Sequence, residues 1–342
     1  MIKKRATLKD VARESGVSPA TVSYVYNGKK NITKETKQRV FEAIEKLNYV
    51  PDLNARALSV QQSKLIGVVI PQTEPGDHLM LENSFYSEVL GSIERQARLH
   101  GYHIIISGTD VNENYLKIAK ERNYDGIIVI GMYPDSFYQH LKESNLPAVL
   151  VDSYCNDHHF HNVRIDDAYG SYLATTFVLD KGHVDVALFC GMIRESGVIQ
   201  KRLLGYKDAL TERGLPYRED YVFEGNVDFK CGISHAEKLM KCQGQITAVV
   251  ATADILAIGA IKGFYEQGVK VPDQISVIGF DDLQISSYTT PGLTTVRQEI
   301  SLKGKSAFEL LLQNMQDHGL TKRETILPVS IVERGSVKKL AN

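Results

Sequence analysis

The chain has 342 residues, 43% hydrophobic and 24% charged, a balance that fits a folded protein of two or three domains and excludes a disordered or collagen-like one. Its longest apolar runs, 65–70 and 126–132, are far short of the ~20 residues that cross a bilayer, so no transmembrane helix is expected. The net charge of −1 hides a division, because residues 1–64 hold 13 Lys and Arg against 6 Asp and Glu while the remainder holds 27 against 35. A small basic part suited to a polyanion thus precedes a larger acidic body, with a merely solvated basic face as the bland alternative.

The first residues, MIKKRATLKD, are basic with no apolar stretch behind them, which argues against a secretory leader and for a cytoplasmic protein. Cys155, Cys190, Cys231 and Cys242 are scattered, as suits a reducing compartment, and form no zinc motif. Thr7 followed by Asp10 reads as a capping box for a helix over about 8–14, with Leu8, Val11 and Ala12 at helical spacing. Gly16 interrupts that pattern, and Ser18-Pro19 restarts it with a cap and a proline at the first helical position. Val22 and Val25 are the buried side of this second helix. Thr33 caps a third, whose stripe is Val40, Phe41, Ile44 and Leu47. Two short helices joined by a glycine-containing turn, with a third across them, is a helix-turn-helix plan.

The run from Thr7 to Ser59, TLKDVARESGVSPATVSYVYNGKKNITKETKQRVFEAIEKLNYVPDLNARALS, closely resembles the DNA-binding domain of the lactose-repressor (LacI/GalR) family, and the rest of the chain continues the likeness. The resemblance implies that the second helix enters the major groove of operator DNA, with Pro19, Ala20 and Tyr24 at base edges. Ser18, Thr21, Ser23 and Asn27 are short polar groups suited to phosphates, and Thr7 and Leu8 at the first helix join the DNA-binding set. Tyr24 departs from the arginine of most relatives, which can bind guanine with two hydrogen bonds, so an altered half-site preference is expected. After Tyr49-Val50-Pro51, Asp52 can cap a hinge helix over 53–59. Leu58 is its minor-groove wedge, Ala55 faces the partner helix, Asn54 joins the DNA-binding set and Arg56 is available to the backbone. So short a helix does not stand alone in water, so it is expected to form only on DNA and in a homodimer.

From Leu65 onward short apolar strands alternate with helical stretches, beginning at Ile66, His103, Gly126, Ala148, Val186, Ala248 and Ile275. Such runs signify parallel sheets covered on both faces, and the order restarts near Asp166. The body resembles the periplasmic-binding-protein fold: two doubly wound α/β subdomains across a cleft, with crossings expected at 163–167, 293–297 and 325–328. The division is then 1–50 for the helix-turn-helix domain and 51–62 for the hinge and linker. Residues 63–164 with 297–325 form the N-terminal effector subdomain, and 165–296 with 326–342 the C-terminal one.

Ligands in open α/β sheets sit beyond the carboxyl ends of strands. By resemblance Asp281 and Arg202 clamp the effector, the aspartate accepting hydroxyls and the arginine donating in a planar fork. Asp152, Ser196 and Gln298 match other cleft positions, and Phe85 and Tyr86 match an aromatic wall. Where many relatives stack an aromatic ring this chain has Val227, with Phe229 as its substitute, and where many have Asn-Asp it has Ala253-Asp254. Asp281 and Arg202 as a purely structural ion pair is the alternative.

Other motifs fail. Gly304-Lys305-Ser306 ends like a phosphate-binding loop, but Glu299 stands where its first glycine belongs and the surrounding pattern is helical. His158, His159 and His161 read as a solvated loop rather than a metal site, since Asp157 is the only adjacent carboxylate. No catalytic or dinucleotide fingerprint is present, and no cofactor is expected. The expectation is a dimeric repressor of carbohydrate-utilisation genes, controlled by a sugar or sugar phosphate. The tail GSVKKLAN lacks leucine heptads, so no tetramer is expected. A catabolite-control regulator served by a phosphorylated carrier protein is the nearest alternative. A sugar-binding transport protein is opposed by the basic headpiece, and an α/β enzyme by the missing nucleophile.

Overall fold

A computed structural model describes residues 6–26, 32–49, 62–70, 83–108, 114–155, 159–195, 197–242, 245–317 and 321–340. The chain divides into two units, residues 1–63 and 64–342. Among the described residues no helix is long and apolar enough to cross a membrane.

In the first unit α1 (Leu8–Ser15) opens on a reciprocal capping box. The Thr7 hydroxyl accepts from the Asp10 N–H at 3.4 Å, an amide that also donates to the Thr7 carbonyl at 2.9 Å, while the Asp10 carboxylate accepts from the Thr7 N–H at 2.9 Å. Gly16 ends the helix at φ 65°, a conformation that costs a residue with a Cβ about 1 kcal/mol or more. Helix α2 (Pro19–Tyr26) follows, capped by the Ser18 hydroxyl on the Thr21 N–H at 3.1 Å, and α3 (Lys34–Lys46) is capped by Thr33. Val11, Ala12, Val22, Val25, Val40, Ala43 and Tyr49 form the core, with Ile44 and Leu47 packed on it. Phe41 is not part of the stripe, being 51% exposed. At ~100° per residue position 41 turns away from the line through 40, 44 and 47, and Ala43 takes its place.

The second unit contains two six-stranded sheets. The first is built from β1 (Leu65–Ile70), β2 (His103–Gly108), β3 (Gly126–Ile130), β4 (Ala148–Val151), β5 (His161–Ile165) and β11 (Glu324–Leu327). Its order is β11-β5-β4-β3-β1-β2, parallel throughout. Its helices are α4 (Ser84–Leu99), α5 (Asn114–Glu121), α6 (Asp135–Glu143) and, from far along the chain, α11 (Ile300–Gln316). The second sheet has β6 (Val186–Gly191), β7 (Val222–Gly225), β8 (Ala248–Ala251), β9 (Ser276–Asp281), β10 (Thr294–Gln298) and β12 (Val329–Val332). Its order is β12-β10-β9-β8-β6-β7, parallel but for the antiparallel pair β10 and β12. With it belong α7 (Asp167–Asp180), α8 (Val198–Glu212), α9 (Phe229–Leu239) and α10 (Asp254–Glu266).

Strands β3, β4, β6, β8 and β9 are buried along their whole length, which is why the first four are unbroken apolar runs and β9 is apolar between Ser276 and Asp281. The chain passes between the sheets at Asp166, at Glu299 and at Pro328. The second passage follows β10, which stays in the second sheet as far as the Gln298 to Val329 pairing. The Gly304-Lys305-Ser306 segment is helical, inside α11. Gly304 lets α11 approach α4 closely, since a Cβ there would lie 2.7 Å from the Val89 carbonyl oxygen. His161 is not in a solvated loop: it opens β5 fully buried, its Nδ1 3.2 Å from the Arg323 N–H, and burial pushes its pKa down to about 4.

Candidate functional sites in the helix-turn-helix unit and the cleft

The buried side of α2, Val22 and Val25, is fastened to the headpiece core, which turns Ser18, Pro19, Ala20 and Tyr24 outward. Tyr24 is 45% exposed, so a large aromatic stands on the outer face of α2. Thr21 and Ser23 are half-buried beside it. Ser18 and Thr21 share a hydrogen bond at 2.9 Å, and Ser18 also caps the helix, so its oxygen has work besides any phosphate. Thr7 is exposed at the start of α1, and Leu8 packs on the core. Asn27, Asn54, Ala55, Arg56 and Leu58 lie outside the described residues, as does the hinge segment as a whole.

In the second unit the order of each sheet reverses once, between β1 and β3 in the first and between β6 and β8 in the second. Crevices at such reversals, beyond the carboxyl ends of the strands, are where open α/β sheets bind ligands. One cavity of about 420 Å³ is lined by the ends of both sheets: Gly131 and Met132 after β3, Gly191 at the end of β6 with Met192 after it, Thr252 and Ala253 after β8. Its volume suits a small ligand. Phe85 and Tyr86, from the first turn of α4, make an edge-to-face pair on one wall with centroids 5.2 Å apart.

The polar end of the cavity is a network of buried charges. Asp152 follows β4 at φ 52° and Asp281 ends β9 at φ 122°, left-handed conformations that non-glycine residues seldom hold without a functional reason. The Arg202 guanidinium lies over the Phe280 ring at 3.6 Å, donates to the Asp167 carboxylate at 2.8 Å and to the Thr252 carbonyl, and stands 3.8 Å from Asp281. The Lys303 ammonium donates to both Asp152 oxygens at 2.6 and 2.7 Å and to the Gln298 carbonyl oxygen. The Gln298 amide then donates to Asp281 at 2.6 Å. Burial pushes the Asp281 carboxyl up to about 6 against the pull of Arg202, and it raises Asp152 against the pull of Lys303. Below the floor Asp254 accepts from the Leu283 N–H, Ser286 and Thr295, and burial followed by the charge of Asp281 pushes it up to about 8.

The cleft thus brings together Phe85, Tyr86, Asp152, Arg202, Val227, Asp281 and Gln298. Phe229 does not line it: it is the first residue of α9 and 39% exposed, because Asp228 caps that helix and turns the following residue outward. Ser196 is outside the described residues. The main partner of Arg202 is Asp167 rather than Asp281, and Asp167 also accepts from the Tyr154 hydroxyl at 2.7 Å. Sequence reasoning missed Asp167 and Lys303. Asp167 follows Asp166, which already caps α7, and a second carboxylate there was a usable signal. Lys303 falls on the buried stripe of Ile300, Gly304, Ala307 and Leu311, where a lysine has no reason to be unless it has an internal partner. Among the described residues no group of three or more His, Cys, Asp or Glu could hold a metal ion.

A helix-turn-helix unit joined to a two-sheet ligand-cleft body defines the class of protein, a ligand-responsive DNA-binding transcriptional regulator. Bacterial regulatory proteins of the lacI family match residues 7–52, and a periplasmic binding protein-like domain matches residues 175–337. A transcriptional repressor PurR of Vibrio parahaemolyticus is 34% identical over 344 residues, covering 98% of this chain and 99% of that protein. Catabolite control protein A of Priestia megaterium is 35% identical over 337 residues, covering 97% and 99%. The crystal structure of the Lac repressor dimer bound to operator and the anti-inducer ONPF superposes with a TM-score of 0.86 at 27% identity, covering 98% and 100%. A LacI-family regulator from Enterococcus faecium with bound ribose superposes with a TM-score of 0.72 at 28% identity, covering 81% and 100%. The chain belongs to the lacI family of bacterial transcriptional regulators, a repressor family rather than an enzyme family.

Proposed function

We propose that this protein is a dimeric, cytoplasmic repressor of carbohydrate-utilisation genes whose effector, a small sugar, binds in the cleft. The observation that carries the reading is the cavity at the strand ends, where Asp281, Asp152 and Gln298 gather hydrogen-bonding oxygens at one end of a wall formed by Phe85 and Tyr86. Hydroxyl groups suit those acceptors and the faces of a sugar ring suit the aromatic wall. The ribose held by the Enterococcus faecium regulator, in a chain of the same architecture, supports it. Operator DNA is read by Pro19, Ala20 and Tyr24 on α2 and positioned by Ser18, Thr21, Ser23 and Asn27, with Thr7 and Leu8 at the first helix. In the hinge Leu58 is the wedge in the minor groove of a pseudo-palindromic site, with Ala55 beside it against the partner helix and Asn54 among the DNA-binding residues. Effector binding acts by favouring one arrangement of the two lobes, a coupling of ~1–3 kcal/mol in proteins of this kind.

The test is a thermal-shift screen of the full chain against sugars and sugar phosphates, followed by operator binding with and without each hit. A hit that changes operator affinity about tenfold is expected, and hits that leave it unchanged sink the allosteric reading. The likeness to catabolite control protein A favours one further arm, a phosphorylated carrier protein added to the operator assay. A response to that protein alone, with none to any small molecule, would replace the sugar reading.

A further inference from the structure

Lys303 is the most deeply placed cation of the cleft. Its side chain is 0% exposed, and it does not itself line the cavity. It nevertheless touches three groups that do: it neutralises Asp152, it donates to the Gln298 carbonyl oxygen, and its Nζ lies 5.1 Å from the centre of the Phe85 ring. The bond to Gln298 settles which way that amide points. With its oxygen taken by an ammonium, which has no acceptor, its nitrogen must donate, and it donates to Asp281 Oδ1. Asp281 Oδ2 has no hydrogen-bond donor among the described residues and is left to accept from whatever enters.

The charge count of the floor is equally constrained. The two buried cations, Arg202 and Lys303, face three carboxylates, Asp152, Asp167 and Asp281. Each cation is already matched to a carboxylate, Arg202 to Asp167 and Lys303 to Asp152, so neither brings an uncompensated positive charge to an incoming anion. At the exposed rim Arg194 stands beside Glu195, so the mouth adds no net charge. Thr252 is 2% exposed and lines the cavity, and its buried hydroxyl has no hydrogen-bond partner among the described residues. A buried hydroxyl left unpaired is costly, and a ligand hydroxyl is a partner that would satisfy it.

We propose that Lys303 is the positioning residue that sets the polarity of the effector site, holding Asp152 and turning the Gln298 amide towards Asp281 Oδ1 so that Asp281 keeps Oδ2 as an acceptor, and the cleft takes an uncharged, hydroxyl-rich ligand and rejects its phosphate ester. The proposal rests on the cleft being a sugar site and narrows the ligand within that class. A phosphate group would bring two negative charges against carboxylates with no unpaired cation to meet it.

The test is calorimetric titration of the full chain and of Lys303→Met with ribose, glucose and cellobiose, with ribose 5-phosphate and glucose 6-phosphate, and with the amino-sugar of whichever parent binds. Lys303→Met keeps the length and removes the charge. Far-UV circular dichroism confirms that the variant is folded, and Lys303→Gln, which retains an N–H donor for Gln298, serves in its place if it is not. The wild type is expected to bind at least one uncharged sugar, and its phosphate ester at least a hundredfold more weakly. The variant is expected to lose at least tenfold for the uncharged sugar and to gain at least tenfold in the ratio of amino-sugar to parent. The ligand ammonium then replaces the missing cation beside Asp152, a change of preference that a purely structural lysine would not produce. A phosphate ester bound as tightly as its parent, or a variant with the wild-type preference for the uncharged sugar, overturns the role of Lys303 and leaves the sugar site standing. No binding by any of these compounds overturns the sugar site itself, and the proposal with it.

Discussion

Replacing Arg202 by methionine removes the guanidinium that joins Asp167, the Thr252 carbonyl and Asp281, while keeping most of the side-chain volume over Phe280. The side chain of Asp167 is 1% exposed, so its carboxylate is stranded in the interior with the Tyr154 hydroxyl as its remaining side-chain donor. Breaking a buried pair by removing one partner costs ~3–5 kcal/mol, and the retained Tyr154 hydrogen bond places this case near ~3. At ~2–4 °C per kcal/mol for a unit of this size, the melting temperature should fall by about 6–12 °C. The chain has no tryptophan, so far-UV circular dichroism is the readout. Asp167→Leu should cost a similar amount, because it strands the guanidinium, yet the double variant Arg202→Met with Asp167→Leu should recover about 2 kcal/mol relative to additivity. Single variants that each cost under about 1 kcal/mol, or a double variant additive within about 0.5 kcal/mol, would refute the view that this pair is the keystone of the cleft floor.

Tyr24→Arg restores a side chain able to pair with guanine and should shift selection from random operators at one symmetric base pair by about 1–3 kcal/mol; an unchanged consensus excludes position 24 as a reader. Thr7→Ala breaks the capping box and should cost the helix-turn-helix unit about 1 kcal/mol, seen as earlier loss of helical signal on heating, whereas Thr7→Asp should largely retain it. Asp254 has a folded-state pKa of about 8, above the ~3.9 of an unfolded aspartate, so the folded chain holds the proton more tightly. The stability this contributes is fully present below pH ~4 and is lost as pH rises towards ~8. Asp254→Asn, which leaves one fewer acceptor for Ser286, Thr295 and the Leu283 N–H, should melt lower at acid pH but with a flatter decline up to pH ~8.5; an identical slope would show that Asp254 is not the group responsible.

Most of the strands found by inspection were those buried on both faces; β2, at a sheet edge and only half-buried, stood out by its run of three isoleucines. Gly126 to Ile130 and Ala248 to Ala251 are apolar throughout because every position is covered. Strand β5 alternates, β12 has no fully buried residue, and β10 is buried at four of its five positions but three of those are Thr294, Thr295 and Gln298, so the sequences HNVRI, VSIV and TTVRQ carry too little apolar contrast to stand out. The headpiece was legible nearly to the residue because its signals are local: a capping box, a left-handed glycine and a proline at the start of a helix each act within four residues. Phe41 escaped because a stripe counted in steps of three and four admits a neighbour that the helical angle excludes.

The cleft divides along the same line. Asp152 and Asp281 are picked out by the family resemblance, and both stand at the carboxyl end of an apolar strand, where such a sheet presents its chemistry. Their partners could not be found from strand ends. Lys303 reaches Asp152 across 151 residues of chain, and Arg202 reaches Asp167 across 35, so the pairing depends on how α11 and α8 pack rather than on any local motif. What remained readable was the anomaly that each partner leaves in its own helix. A lysine on the apolar stripe of α11 and an aspartate beyond the cap of α7 both break the local pattern, and a charge that folding forces into the interior must find its counter-charge there.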